Sequence, residues 1–209
     1  MELEVKWAGR GARRIGRLLQ SGRGQLFFAY DPAWRAGALE LSPIYLPNST
    51  TGAVATPTPG FGELHGLFQD ALPDWWGERL MQRYFEEAGI PWNQVTALQK
   101  LACQGDRKMG ALAFEPVIKA PDLNDTLVAE LGAMVEAARK ALGGETGHAL
   151  AALLRSGISP GGAQPKALLA VADDLSAIRL DDPAPQGFGA WLVKFDLDPV
   201  LEEDRKSVV

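Results

Sequence analysis

The chain opens on three short stretches in which apolar residues recur at every second position, separated by turns rich in glycine. Leu3, Val5 and Trp7 alternate with charged residues in "ELEVKW"; "RRIGRLL" follows "GRGA", and "QLFFAY" follows a further glycine pair. A period of two marks a strand with one covered and one wet face, and glycine marks the turns between such strands. The N-terminal part therefore predicts a small antiparallel β meander or barrel. "DPAWRAG" reads as a turn, and the proline-rich "ELSPIYLPNSTTGAVATPTPG" as an irregular extended passage ending near Gly60.

The period then changes. In "LPDWWGERLMQRYFEEAGIP", Asp74 is placed to cap a helix, Leu80, Met81, Tyr84, Phe85 and Ala88 fall at helical spacing, and Gly89 closes it. "NQVTALQKLACQG" predicts a shorter helix over Asn93–Gly105, and "MGALAFEPV" a strand. A long helix is expected through "LNDTLVAELGAMVEAARKALGG", with Leu127, Leu131, Val135, Ala138 and Leu142 on one stripe, and a short one through "HALAALLR". "KALLAVADD", "LSAIRL" and "AWLVKF" are three apolar runs with turns between them, the pattern of a second antiparallel sheet. Together these predict an α+β fold, with its boundary near Pro116–Pro121. Adjacent helical residues point about 100° apart, so Trp75 and Trp76 cannot both be core, and one is a candidate for a seam with a partner.

Composition narrows the function. With 209 residues, 46% of them hydrophobic, the chain can bury a real core. Cys103 is the one cysteine, and His65 and His148 are the only histidines, so neither an internal disulfide nor a zinc-type ligand cluster is expected. No secretion signal opens the chain, and no apolar run approaches the length of a membrane span. A cytoplasmic protein is expected, in which the "NST" at Asn48 is not a glycosylation signal. A net charge of −5 and a pI of about 5.1 argue against non-specific nucleic-acid binding. The basic residues Lys6, Arg10, Arg13, Arg14, Arg17, Arg23 and Arg35 lack interleaved exposed aromatics, and read as a solvated hairpin surface.

Two features can carry chemistry. "RSGISPGGAQPKALLAV" places paired glycines between a helix end and an apolar strand, where backbone N–H groups can approach an anion closely. No G-x-G-x-x-G occurs, and Ala163-Gln164 stands where a P-loop needs Lys-Ser/Thr, so spacing alone reads as a plain loop. Lys194 in "AWLVKF" must point outward or reach a partner, because burying an unpaired ammonium is costly. Strand lysines of this kind, downstream of a glycine-containing loop, hold nucleotide phosphates in kinases. Lys166 offers a second cation, its plainer reading being an exposed lysine at the strand entry.

Four blocks, "FQDALPDWWGERLMQRYFEEAGI", "LQKLACQGDRKMGALAFEP", "SPGGAQPKALLA" and "WLVKF", resemble in order and separation the HipA family of bacterial serine/threonine-kinase toxins. The resemblance covers residues 1–195. It implies a HipA-like N-terminal subdomain over 1–118, the start of a kinase-like N-lobe over 119–195, and a divergent acidic tail over 196–209. It further implies ATP and Mg²⁺ as cofactors, a helix-turn-helix antitoxin as partner and an aminoacyl-tRNA synthetase as substrate, with no direct contact to nucleic acid or membrane. By this match Ser159 is the autophosphorylated serine, with Ser156 a neighbouring hydroxyl. Gly161, Gly162, Ala163 and Gln164 are the phosphate-covering loop, and Lys166 and Lys194 contact nucleotide. Phosphate on Ser159 would add close to two negative charges beside that loop and expel it. After Lys194 only "FDLDPVLEEDRKSVV" follows, without the aspartate and metal-binding elements that phosphoryl transfer needs. The expectation is a truncated kinase, inactive alone unless a separate C-lobe chain completes it. The alternatives are a non-catalytic regulatory module of a toxin–antitoxin system and a decayed remnant without activity.

Overall fold

The three alternating stretches form β1 (Glu2–Trp7), β2 (Arg14–Gln20) and β3 (Leu26–Tyr30) of one antiparallel sheet. The computed structural model describes residues 1–9, 11, 13–37, 39–56, 64–104, 110–118, 153–154, 164–180 and 184–195. Short turns leave no length for a crossover, so successive strands must run antiparallel. "DPAWRAG" is not a bare turn: Asp31 accepts from Ala33 N–H and opens a single helical turn, α1 (Pro32–Arg35), with proline in the first turn where its missing N–H costs nothing. The passage expected to be irregular contributes a three-residue strand, β4 (Ala53–Ala55), which pairs with β3.

β4 is followed by a second single turn, α2 (Gly66–Gln69), by the long helix α3 (Trp75–Glu87), and by α4 (Ala97–Gln104), after which the chain returns as β5 (Leu112–Glu115) beside β1. The sheet order is β4-β3-β2-β1-β5; among the described residues its ends do not meet, so it is an open sheet and not a barrel. The helix predicted from Asn93 is broken in two. A 3₁₀ turn at Trp92–Gln94 precedes an extended Val95, and α4 starts afresh behind Thr96. Thr96 Oγ1 accepts from Gln99 N–H while Gln99 Oε1 accepts from Thr96 N–H, a reciprocal capping box already written in "TALQ".

One face of this sheet is charged and the other dry. Between Val5 and Lys6 the register slips, giving β2 one extra residue, Ile15, and that bulge turns Ile15 into the core beside Leu3, Val5 and Leu18. Phe28, Tyr30, Trp34, Leu46, Phe68, Leu98, Leu101 and Phe114 complete the core. On the wet face Arg17 meets Glu2, Arg14 meets Glu4 and Asp31, and Lys6 meets Glu115. The basic N-terminal residues that lie in these strands are thus paired with acids across the sheet, as a solvated hairpin surface requires. Asn48 is buried, its amide donating to Gly37 O and Leu39 O, so its side chain is not presented for glycosylation.

His65, at the entry to α2, is 4% exposed, and burial pulls its imidazole below the usual 6.5 despite a hydrogen bond to the Val54 backbone. The unfolded chain therefore takes up a proton near pH 6.5 that the folded chain resists, so stability is full above that pH and falls as pH drops through it. The melting temperature is expected to be lower at about pH 5.5 than at about pH 7.5. His65→Gln should shrink that difference; an unchanged difference would assign it elsewhere.

The second sheet has the order β7-β6-β8, built from β6 (Lys166–Ala172), β7 (Ile178–Arg179) and β8 (Phe188–Lys194), all antiparallel as the three apolar runs predict. Ala167, Leu169 and Val171 point from one side of β6 into a second core with Leu153, Leu154, Leu180 and Phe195. α3 supplies the rest of that core through Trp76, Leu80, Met81 and Phe85. By chain order α3 belongs with the first sheet, but by packing it is the lid of the second. Ile118 packs against both cores. The long helix expected over "LNDTLVAELGAMVEAARKALGG" lies outside the described residues.

Candidate functional site

The site is the side of the second sheet turned away from its core. In an antiparallel pair, residues directly opposite share one face. Lys166 is opposite Lys194, Leu168 opposite Leu192, Ala170 opposite Ala190 and also opposite Arg179, and Ala172 opposite Phe188. That face carries two lysines at one end, a floor of leucine and alanine along its length, and Arg179 over the Phe188 ring at 5.8 Å at the other end.

Two like charges in directly opposed positions repel, and Asp74 relieves the repulsion. Lys166 is not the exposed strand-entry lysine of the plainer reading: it is buried, with Nζ 2.6 Å from Asp74 Oδ2, and the two side chains are 4% and 5% exposed. Lys166 Nζ also donates to Gln164 O at 3.4 Å, so the side chain bends back toward the start of its strand. Asp74 does two jobs, because its other oxygen accepts from Gly77 N–H and caps α3. The same helix turn holds the backbone: the Trp76 indole N–H donates to Lys166 O at 3.1 Å. Phe195 N–H donates to Pro165 O on the other side, so the first residues of β6 are fastened from both flanks.

Lys194 differs. It is exposed, and among the described residues no carboxylate pairs with it. A cation on a sheet face, unneutralised and beside apolar floor residues, is suited to an anion that carries an apolar group. Of the residues predicted for nucleotide, Gln164 is exposed at the loop exit, Lys166 is buried and Lys194 is open. Ser156, Ser159, Gly161, Gly162 and Ala163 lie outside the described residues. Among the described residues no three or more histidine, cysteine, aspartate or glutamate side chains come together so as to hold a metal ion.

Two members of the arrangement were not visible in sequence. Asp74 was legible as a cap, but its pairing with a lysine 92 positions later has no local signal. Arg179, in a two-residue strand, becomes part of the face only through its register with Ala170. Of the tryptophan pair, Trp76 is 1% exposed and Trp75 50% exposed, with the Arg79 guanidinium 5.3 Å from the Trp75 ring. Cys103 is no candidate nucleophile, since burial pushes its thiol up to about 12. No described helix is long and apolar enough to cross a membrane.

The family model for the HipA N-terminal domain matches residues 4–115, which is more than half of the chain and takes in the first sheet from the third residue of β1 onward, together with α3. No curated protein matches the chain. The second sheet lies beyond the matched residues.

Proposed function

The chain belongs to the HipA family by its N-terminal domain, and from that premise we propose that its second sheet is the phosphate-side wall of a nucleotide site of a HipA-like serine/threonine-kinase toxin. The observation that carries this reading is Lys194, an exposed cation with which no carboxylate among the described residues pairs, at the end of a face on which Leu192 and Ala190 are exposed and Leu168 half-buried. An ammonium there offsets the charge of a polyphosphate, and the small apolar side chains admit a flat base. When bound, ATP supplies the phosphoryl group. The chain's own contribution is to place one cation beside it, with Gln164 at the loop exit. Ser159 is the acceptor for regulatory phosphorylation, and a helix-turn-helix antitoxin and an aminoacyl-tRNA synthetase are the partner and substrate that fit such a toxin.

A second reading, a non-catalytic regulatory module of a toxin–antitoxin system, is favoured by apolar side chains left open within the family-matched residues, Ile44 at 82% and Trp75 at 50% exposure. The two readings separate at Lys194. Titrating ATP into the 209-residue chain should give weak binding, of order millimolar, that Lys194→Met lowers at least about tenfold, with no labelled phosphate reaching Ser159. Binding indifferent to Lys194→Met would favour the regulatory module. Robust autophosphorylation by this chain alone would contradict the view that its groups are insufficient for transfer.

A further inference from the structure

The two lysines of the site are not equivalent, although they are register partners one strand apart. Lys194 is open, whereas Lys166 is sequestered: its ammonium sits 2.6 Å from Asp74, its own carbonyl is held by the Trp76 indole, and its side chain is 4% exposed. An ammonium already matched by a carboxylate at that distance has little net charge to offer a phosphate, and pulling it away would leave a buried aspartate without its counter-ion, which is strongly unfavourable. Both grips come from the first turn of α3, the helix whose other buried side chains, Leu80, Met81 and Phe85, form the core beneath β6.

We propose that Lys166 is a positioning residue and not a phosphate ligand: with Asp74 and Trp76 it forms a buried joint that fastens the start of β6 to α3, and through the β6–β8 register it fixes Lys194, which alone of the two meets the anion. The part concerning the anion rests on the nucleotide reading above; the joint itself does not. It makes α3, a helix within the family-matched segment, the element that sets the geometry of the second sheet. A change at the first turn of α3 therefore reaches Lys194 without touching it.

The test uses the 209-residue chain with isotope-labelled lysine side chains, its Asp74→Asn, Lys166→Met and Lys194→Met variants and the Asp74→Asn/Lys166→Met double variant, with tripolyphosphate as probe. Asparagine keeps the helix cap, so Asp74→Asn removes the charge alone. Each single change at the joint should lower the melting temperature by roughly 10 °C, and the double variant should recover most of that loss, because neither partner is left buried and unmatched. Tripolyphosphate should shift the Lys194 side-chain resonances and leave those of Lys166 in place. The double variant should bind the probe within about threefold of the parent, and Lys194→Met at least about tenfold more weakly. Movement of the Lys166 resonances with those of Lys194, or a double variant that melts normally yet binds as poorly as Lys194→Met, would make Lys166 a direct ligand and overturn the proposal. If the probe shifts no lysine at all, the nucleotide reading fails while the joint is still decided by melting; losses that simply add in the double variant would overturn it.

Discussion

Trp76→Ala is expected to lower the melting temperature by about 10 °C or more, while Trp75→Ala leaves it within about 4 °C of the parent. The two residues are neighbours on one helix, yet Trp76 is among the largest fully buried side chains and Trp75 is half exposed. Removing a buried indole costs about 3–5 kcal/mol in lost burial and cavity. In this chain it also strands Lys166 O, which loses the N–H that satisfies it, adding about 1–3 kcal/mol if no water replaces it. A chain of this length shifts by about 2–4 °C per kcal/mol, which sets the size of the effect. Trp75 packs against the Arg79 guanidinium on the outside of α3, a contact worth about 0.5–1 kcal/mol at an exposed site. Scanning calorimetry of the two variants decides the matter. Equal shifts would mean that the second core does not rest on Trp76, and a loss of partner binding without melting change in Trp75→Ala would mark that ring as a contact surface.

Gly16→Ala should cost about 1–3 kcal/mol, read as a shift of the denaturation midpoint with unchanged slope. The position looks harmless, a glycine inside a strand where alanine would normally be preferred. Its surroundings leave no room: a Cβ there would lie 2.3 Å from Ala29 O and 2.7 Å from Phe28 Cζ. The first of these atoms belongs to the paired strand's backbone, so relief requires β3 to move, and Phe28 is wedged between Tyr30 and Phe68 with ring centroids 4.8 Å away on each side. A midpoint equal to or above the parent's would show that the sheet has slack at this point.

Much of the fold was legible because local signals agreed with tertiary ones. Leu3, Val5 and Leu18 are core because alternation and burial coincide, and α3 is a helix because Asp74, the spacing of Leu80, Met81 and Phe85, and Gly89 all say so. The misses have local causes. β4 is three residues of alanine and valine, too short to alternate; α1 hides in "DPAWRAG" because one helical turn and a β-turn share the same residues. Starting α4 at Asn93 overlooked the capping box four residues into the segment. The lysine face was only half legible. Lys194 announces itself as a cation in an apolar strand, but the burial of Lys166 depends on Asp74 arriving from another part of the chain, and no residue near Lys166 encodes that meeting.

The central claim is that Lys194, and not Lys166, faces the nucleotide phosphates. An acyl phosphate of ATP, whose terminal phosphate carries an acyl group that a neighbouring lysine amine takes up as an amide with ATP as the leaving group, tests it directly when the modified residues are mapped by peptide mass. The account predicts an adduct at Lys194 that excess ATP suppresses, and none at Lys166. An adduct at Lys166, or labelling of Lys194 that ATP does not compete away, would contradict it.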